Sequence, residues 1–271
     1  MKIILSFFTF LCCLTFSHAA TVDTIGVPSL AMNKKIKTVV IQPDGAGNRS
    51  LPTLYLLHGY SGNYADWVNK APAIKELADR YQILIVCPDG GYGSWYWDIP
   101  EDGDFQYETF VSTELVAYIE ANYPVANTKE QRGITGLSMG GHGALYLAIK
   151  HPDVFGAAGS TAGGVDIRPF PDNWDMAKRL GKFSQNPERW NAHTVMELTH
   201  LIEPGSLALF IDCGQQDFFY QVNCALHEKL DYLRIPHRFL VMPGGHNWDY
   251  WSQSIHYQMA FFSEFFTKRD N

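Results

Sequence analysis

Short apolar runs recur along the chain, and most of them are followed by glycine, proline or aspartate. Runs that are apolar on both faces are typical of buried strands in a mainly parallel sheet. They lie at residues 54–57, 83–87, 132–135, 155–160, 207–211 and 239–242. Two earlier segments, residues 29–31 and 37–42, alternate more between apolar and polar side chains and predict antiparallel edge strands.

Amphipathic stretches separate these runs and carry apolar side chains at helical spacing. They lie at residues 71–80, 110–122, 141–150, 224–233 and 252–267. Parallel strands require crossover connections, which helices supply when strands and helices alternate along the chain. The pattern therefore predicts an α/β fold with a mainly parallel central sheet flanked by helices, formed by a single domain over residues 20–271.

Residues 166–204 interrupt the alternation, since their periodicity is weak and they contain several prolines together with Trp174 and Trp190. We interpret this segment as an insertion that lies over the sheet. Loops above a rigid scaffold often form one wall of a binding site. A segment with a purely structural role and no contact to a ligand fits the same pattern equally well.

The sequence Gly136-Leu137-Ser138-Met139-Gly140 carries the strongest chemical signal. It follows a predicted strand and precedes a predicted helix, which is the context that the G-x-S-x-G motif requires. A serine on so tight a turn adopts strained backbone angles, and its neighbours two positions away must lack bulk. The motif predicts Ser138 as a nucleophile above the carboxyl edge of the sheet.

A serine hydroxyl needs an adjacent base, and the partners of this motif follow it in the order acid, then histidine. His246 follows a predicted strand within the flexible loop at residues 243–246, so we predict it as the base. His142 is close to Ser138 in sequence, but its position in a helical pattern favours a packing role.

Two carboxylates follow the strand at residues 207–211. Asp212 lies at the strand end itself, where a carboxylate commonly accepts hydrogen bonds from local backbone amides. Asp217 lies beyond the turn at Gly214 and is better placed to meet a histidine loop, so we favour it as the acid. Its predicted role is to hold the imidazole tautomer and to stabilise the imidazolium.

The tetrahedral intermediate of acyl transfer needs two backbone N–H donors, which together form an oxyanion hole. We predict Met139, the residue after the nucleophile, as the first donor. Gly59 follows the run at residues 54–57 and permits a close backbone approach, so we predict the amide of Tyr60 as the second. His58 precedes the serine, an order that this motif does not use, and a structural role in the loop is favoured.

Aromatic side chains cluster after two of the predicted strands. Trp95 and Trp97 lie within residues 89–98, and Trp248 follows His246. Flat aromatic surfaces with few charges suit a planar acyl group or the face of a sugar, so these three are candidate substrate-binding residues. Aromatic side chains near a sheet edge belong to the core equally often, and the sequence leaves both interpretations open.

Composition narrows the range of partners and locations. The net charge of the 271 residues is −7 and no cluster of lysine and arginine is present, so no nucleic-acid partner is expected. Residues 1–19 combine Lys2, an apolar run and small residues up to Ala19, which predicts a signal peptide and a secreted or periplasmic protein. The apolar run is shorter than the roughly 20 residues that span a bilayer, so the mature chain is expected to have no membrane span.

Three cysteines remain after the predicted leader is removed, so at least one has no partner within the chain. Cys87 lies inside an apolar run and is interpreted as a small buried hydrophobe. Cys213 and Cys224 could pair in an oxidising compartment, and the sequence leaves this pairing open. No spacing such as C-x-x-C indicates a metal site.

Taken together, the motifs resemble the esterase D family of α/β-hydrolases, which includes S-formylglutathione hydrolases, feruloyl esterases, tributyrin-type esterases and mycolyltransferases. The residues that carry the resemblance run from about residue 39 to residue 265 and include His58-Gly59, Trp95-Tyr96-Trp97-Asp98, Gly136-Leu137-Ser138-Met139-Gly140-Gly141, Asp212-Cys213-Gly214 with Asp217, and Pro243-Gly244-Gly245-His246 with Trp248 and Trp251. The resemblance implies the α/β-hydrolase fold and no cofactor. It also implies the site predicted above, which comprises the triad Ser138, Asp217 and His246 and the oxyanion amides of Tyr60 and Met139.

The function implied by the resemblance is hydrolysis of a carboxylic ester through an acyl-enzyme. With its predicted leader, the chain looks most like secreted bacterial esterases that remove feruloyl or acetyl groups from plant polysaccharide. An S-formylglutathione hydrolase-like thioesterase is an alternative, although that role looks cytosolic, and an acyltransferase would differ only in the acceptor. A carbohydrate-binding protein that has lost catalysis is a further alternative, which the presence of all three triad residues disfavours.

Overall fold

A computed structural model of the protein describes residues 19–47 and 49–268. The predicted leader, residues 1–19, lies outside the described residues except for Ala19. Within the described ranges, no helix has both the length and the apolar character needed to cross a membrane.

One sheet forms the centre of the fold. Its strands within the described ranges are β1 (Thr21–Ser29), β2 (Lys34–Gln42), β3 (Thr53–Leu57), β4 (Leu84–Pro88), β5 (Arg132–Gly136), β6 (Ala157–Thr161), β7 (Ala208–Gly214) and β8 (Arg238–Met242). The strand order is β1-β2-β4-β3-β5-β6-β7-β8. β2 pairs antiparallel with β1 and β4, whereas the pairs among β3 to β8 are parallel. The predicted mainly parallel sheet is therefore confirmed.

The first strand lies earlier in the chain than the pattern predicts. Ser29 is the last residue of β1, and Leu30 and Ala31 belong to the turn that follows. Their backbone amides donate hydrogen bonds of 2.8 and 2.9 Å to the carboxylate of Glu114, not to a neighbouring strand. The predicted antiparallel edge strand is therefore present as β1, but of residues 29–31 only Ser29 belongs to it, because a distant side chain satisfies the next two donors. The segment at residues 37–42 lies in β2, which has a neighbour on each side, so its prediction as an edge strand is wrong.

Helices connect the strands. They are α1 (Asp66–Lys70), α2 (Ala73–Tyr81), α3 (Tyr107–Thr109), α4 (Leu115–Asn122), α5 (Met139–Lys150), α6 (Met176–Leu180), α7 (Pro187–Ala192), α8 (Val195–Leu198), α9 (Tyr220–Tyr232) and α10 (Trp248–Thr267). A π-helical turn, Phe110–Glu114, joins α3 to α4. The predicted helix at residues 110–122 is thus present, although its first turn is wider than an α-helical turn.

The sheet is covered on both faces, as the alternation along β3 shows. Tyr55 and Leu57 pack into an apolar cluster that includes side chains of α5, whereas Leu54 and Leu56 belong to a second cluster with α10. Alternate residues of a strand point to opposite faces, so a strand buried on both sides is apolar throughout. This is why the strands appear in the sequence as unbroken apolar runs.

The segment at residues 166–204 forms α6, α7 and α8 and short 3₁₀ turns. Its two tryptophans have different surroundings. The Trp190 side chain is buried in the main apolar cluster, whereas Trp174 is half-buried and lines the cavity described below. The segment therefore contributes both to the core and to the cavity wall, and its contact with a ligand stays a prediction. The thiols of Cys87, Cys213 and Cys224 are unpaired in the structure.

Candidate active site

The turn between β5 and α5 carries Ser138 in a strained conformation. Its φ is 56° and its ψ is −118°, a combination that costs a non-glycine residue about 1–3 kcal/mol. The two glycines that flank it have no room for a side chain. A Cβ on Gly136 would lie 2.7 Å from the backbone of Gly140, and one on Gly140 would lie 2.6 Å from the carbonyl oxygens of Leu57 and His58. The close packing of β3 against this turn therefore requires glycine at both positions.

Three of the predicted site residues form a continuous chain of hydrogen bonds. His246 Nε2 lies 2.8 Å from Ser138 Oγ, and His246 Nδ1 lies 2.8 Å from Asp217 Oδ2. The Asp217 side chain is fully buried, and its other oxygen accepts a 2.8 Å hydrogen bond from the backbone amide of Phe219. Because a carboxylate only accepts, the imidazole proton lies on Nδ1, and Nε2 is free to accept the serine proton.

Hydrogen bonds between two loops hold the histidine in place. The Gln216 amide donates to the Gly244 carbonyl at 2.9 Å, and the Gly244 amide donates to Gln216 Oε1 at 2.6 Å. Asn247, directly after the histidine, accepts a 3.1 Å hydrogen bond from the Tyr250 amide and so caps α10. His246 is therefore fixed between the end of β8 and a capped helix, although it lies in a glycine-rich loop.

Asp212, the other candidate acid, has a different set of partners. Its carboxylate accepts hydrogen bonds of 2.7 to 3.0 Å from four side chains, which are those of Thr161, Tyr250, Ser254 and Gln258. The residue is fully buried, and this burial raises the pKa of its carboxyl group to about 6, against the opposing effect of the four hydrogen bonds. Asp212 thus ties β7 to β6 and α10, while Asp217 contacts the histidine.

The predicted oxyanion donors flank the nucleophile. A Cβ on Gly59 would lie 3.3 Å from the Cβ of Ser138, so the loop that carries Tyr60 passes close to the serine. Within the described ranges, the amides of Tyr60 and Met139 donate no hydrogen bond to another residue's backbone outside helices and strands. The role of these two N–H groups as oxyanion donors stays a prediction.

His58 shapes this loop and is not a second base. Its Nε2 accepts a 2.7 Å hydrogen bond from the Gly90 amide, which places its proton on Nδ1, 2.8 Å from the Gly59 carbonyl. Complete burial lowers the pKa of the imidazole. The hydroxyl of Tyr96 donates to the His58 carbonyl at 3.0 Å. The hydrogen bonds of the neutral His58 ring thus connect the loop after β3 to the loop after β4.

A cavity of about 360 Å³ opens beside Ser138 and His246. It is lined by Gly59, Tyr60, Ser61, Gly62, Asp66, Lys70, Leu137, Ser138, Trp174, Phe218, His246, Trp248 and Trp251. The Phe218 ring stacks on Trp174 at a centroid distance of 5.5 Å and lies 4.2 Å from the His246 ring. Sequence reasoning missed Phe218, although its position directly after Asp217 is a usable signal.

Trp248 lies where the sequence predicts, on the cavity wall next to the only charged pair among the lining residues. Lys70 Nζ lies 3.1 Å from the carboxylate of Asp66 and 5.3 Å from the centre of the Trp248 ring. Since the charges of Lys70 and Asp66 compensate each other, the lining side chains carry no uncompensated charge and favour an uncharged ligand.

Trp95 and Trp97 do not line the cavity, so their prediction as substrate-binding residues is wrong. Both side chains are at most 1% exposed, and their rings stack on each other at 5.7 Å. The indole of Trp97 donates to His142 Nε2 at 2.9 Å, and the indole of Trp95 donates to the Trp174 carbonyl at 3.1 Å. Both tryptophans belong to the buried core and pack behind the cavity wall.

His142 has the packing role that its helical position predicts. Its Nδ1 lies 2.9 Å from the Gly164 carbonyl, so both ring nitrogens have partners and the ring is neutral. Burial lowers the pKa of this imidazole to about 3. It therefore takes no part in proton transfer to Ser138.

Comparison with known proteins identifies relatives that match from about half to most of the chain. A family model described as putative esterase matches residues 29–262. An acetyl esterase of Caldicellulosiruptor saccharolyticus is 31% identical over 223 residues, which cover 77% of this chain and 82% of that protein. The diacylglycerol acyltransferase/mycolyltransferase Ag85A of Mycobacterium gordonae is 38% identical over 154 residues, 54% of this chain and 43% of that protein.

A solved structure leads to the same group of proteins. The structure of a ferulic acid esterase has a TM-score of 0.79 to this one at 28% identity, and the match covers 91% of this chain and 98% of the other. With the family match over most of the chain, this similarity establishes both the fold and the class of enzyme. The protein is an α/β-hydrolase and a serine carboxylesterase, and it belongs to the putative esterase family.

Proposed function

We propose that the protein hydrolyses carboxylic esters with Ser138 as nucleophile, His246 as general base and Asp217 as the acid that orients the base. The observation that carries this proposal is the pair of 2.8 Å hydrogen bonds that link the three side chains. The strained backbone of Ser138 supports it, because such strain is retained mainly at functional positions.

The proposed reaction begins with attack of Ser138 Oγ on the ester carbonyl carbon, while His246 Nε2 takes the hydroxyl proton. Asp217 stabilises the imidazolium that forms, and the amides of Tyr60 and Met139 donate to the oxyanion. Loss of one such donor typically costs a factor of about 10²–10³ in turnover. The imidazolium then protonates the leaving alcohol, and water repeats the sequence on the acyl-enzyme to release the acid.

The proposed substrates are feruloyl and acetyl esters of plant polysaccharide. The cavity supports this choice because its wall presents the flat stacked rings of Trp174 and Phe218 and no uncompensated charge. The acetyl esterase and the ferulic acid esterase similar to this chain support the same two acyl groups. A secreted or periplasmic location, proposed from the leader at residues 1–19, would bring the enzyme to such a polymer.

A hydrolysis panel on the mature protein tests this proposal. The substrates are p-nitrophenyl acetate, p-nitrophenyl butyrate, methyl ferulate and S-formylglutathione, each with the Ser138→Ala variant as control. We expect turnover that depends on Ser138 and favours ferulate or acetate, followed by release of acid from acylated xylan fragments. A preference for S-formylglutathione would assign the thioesterase function, and no Ser138-dependent turnover on any ester would refute the proposal.

Acyl transfer is a second candidate function, favoured by the 38% identity to a mycolyltransferase over about half of this chain. The chemistry up to the acyl-enzyme is the same, and only the acceptor differs. Partition of the acyl group between water and an added alcohol or sugar separates the two activities. Release of free acid at a rate that acceptors do not change assigns hydrolysis, whereas an acyl ester as the main product assigns transfer.

A further inference from the structure

Three potential metal ligands lie together at the junction of α9 and β8, outside the set of residues that lines the cavity. His227 and Asp231 lie one helical turn apart on α9, and His237 immediately precedes β8. One ligand atom from each of the three lies within 4.8 Å of the others. Nothing in the proposed reaction uses this group.

Hydrogen bonds orient the two imidazoles towards each other. His237 Nδ1 lies 2.9 Å from the Ile235 carbonyl, which only accepts, so this nitrogen carries the proton and Nε2 keeps its lone pair. That lone pair points to His227 Nδ1 at 2.7 Å. His237 thus has the arrangement of metal-binding histidines, with one nitrogen donating to a backbone carbonyl and the lone pair of the other facing the site. An ion bound there would replace the His227 Nδ1–H, and that proton would move to His227 Nε2.

His227 is held by packing as well as by its position on the helix. Its ring stacks on Phe239 at a centroid distance of 4.6 Å and an angle of 18°. Its Nε2 lies 3.6 Å from the carboxylate of Asp231, and the two side chains are 35% and 65% exposed. An ion can therefore reach the group from solvent, and the imidazole plane is already fixed.

We propose that His227, Asp231 and His237 bind a divalent transition-metal ion of the Zn²⁺ type, with water in the remaining position. Imidazole nitrogens with one carboxylate suit Zn²⁺ and similar ions, whereas Ca²⁺ and Mg²⁺ prefer oxygen ligands only. Ligand atoms about 2.1 Å from a tetrahedral ion lie about 3.4 Å apart. The two facing nitrogens would thus separate by less than about 1 Å, a small adjustment for partly exposed side chains.

This site would join the last long crossover helix to the edge strand of the sheet. β8 leads directly into the loop that carries His246, so a bound ion would stabilise the fold next to the proposed triad without contact to substrate. The inference does not rest on the proposed reaction, since its ligands and its measurements are independent of ester turnover.

Equilibrium dialysis with Zn²⁺ and thermal unfolding test the site on the mature protein without a histidine tag. We expect one ion bound per chain through this group and a Tm that rises with Zn²⁺ concentration. Replacing His227 or His237 by Asn should weaken binding by about 100-fold or more, beyond the effect of losing an outer-shell partner. The matched control is His256→Asn, an exposed histidine on α10, and His246→Ala separates any binding at the proposed triad.

Two results would overturn the proposal. One is the lack of micromolar Zn²⁺ binding by wild-type protein that is folded by circular dichroism. The other is binding that persists in the His227→Asn/His237→Asn double variant, which would place the ion elsewhere. If a histidine variant fails to fold, Asp231→Asn still tests the site, because this exposed carboxylate can be changed without disturbing the core and its loss should also weaken binding.

Discussion

Replacement of Asp217 by asparagine keeps the size of the side chain but exchanges an acceptor for a donor. One carboxylate oxygen accepts from the Phe219 amide and the other from His246 Nδ1, both at 2.8 Å. The asparagine carbonyl must stay on the Phe219 amide, because its NH₂ group would otherwise face another N–H. The NH₂ group then faces His246 Nδ1, so the imidazole proton moves to Nε2 and that nitrogen can no longer accept the proton of Ser138.

The expected loss of turnover follows from this change of tautomer. The same exchange in serine proteases lowers kcat by about 10⁴, which corresponds to about 5.4 kcal/mol of transition-state stabilisation. Stability should change little, since the hydrogen-bond geometry is kept and a single net hydrogen bond contributes about 1 kcal/mol. We therefore expect a folded protein with almost no activity.

Asp212→Asn is the matched control, five residues earlier and within β7. Its carboxylate accepts hydrogen bonds from four side chains, and an asparagine NH₂ group would face at least one of those donors. An unsatisfied buried group costs about 1–3 kcal/mol, so the free energy of unfolding should fall by that amount. Turnover of the folded fraction should stay within a few-fold of wild type.

The assay is kcat on p-nitrophenyl acetate at neutral pH, with urea unfolding of each variant to give the folded fraction. A fluorophosphonate probe reports the reactivity of Ser138 independently of product release. The reasoning is refuted if Asp217→Asn retains turnover within tenfold of wild type, or if Asp212→Asn, still folded, shows the larger loss. Either result would mean that the acid acting on His246 is not the one that the geometry indicates.

Three further predictions concern the cavity, the turn and the buried histidine. Trp174→Ala or Phe218→Ala should raise KM for methyl ferulate about threefold to tenfold, because aromatic stacking is lost. KM for p-nitrophenyl acetate should stay nearly unchanged, and equal effects on both esters would contradict this. Gly140→Ala should abolish turnover, because its Cβ would lie 2.6 Å from the His58 carbonyl oxygen, and wild-type kcat would contradict the packing argument. The pKa of His142 is about 3 in the folded protein and about 6.5 in the unfolded chain. Its contribution to the free energy of unfolding is therefore complete above pH 6.5 and is lost as the pH falls from 6.5 towards 3. Urea unfolding at pH 7 and pH 4 should show wild type losing about 3 kcal/mol more than His142→Gln, and equal losses would show that the ring is not held neutral.

The fold was largely predictable because its strands are buried on both faces. β3 and β4 have no exposed residue, so each gives an unbroken apolar run whose ends are marked by glycine or proline. β1 was misplaced because one face of this edge strand is exposed and its burial pattern is weak. Its end also depends on the Glu114 carboxylate, which is distant in sequence, and no local pattern reveals such a partner.

A site residue could be predicted from the sequence when residues close to it in the chain determine its position. The placement of Ser138 depends on a turn whose glycines are visible within five residues, and the order of acid and base follows from the topology of the strands. Trp95 and Trp97 were misassigned because a tryptophan beside a sheet edge has the same local pattern whether it faces a cavity or the core. The deciding facts are the indole hydrogen bonds to Trp174 and His142, which only the three-dimensional packing provides.

Asp212 within β7 and Asp217 just beyond it have different tasks, the first structural and the second, as proposed, chemical. The Asp212 carboxylate accepts hydrogen bonds from four donors on β6 and α10 and so links these two elements to β7. Asp217, beyond the turn, keeps one oxygen for a backbone amide and leaves the other for an imidazole. Asp212 holds the first turns of α10 through its hydrogen bonds. His246 lies two residues before this helix, so the position of the helix limits where His246 can lie. Loss of the Asp212 carboxylate should therefore lower the free energy of unfolding, while the folded fraction keeps Asp217 and His246 in contact and remains active.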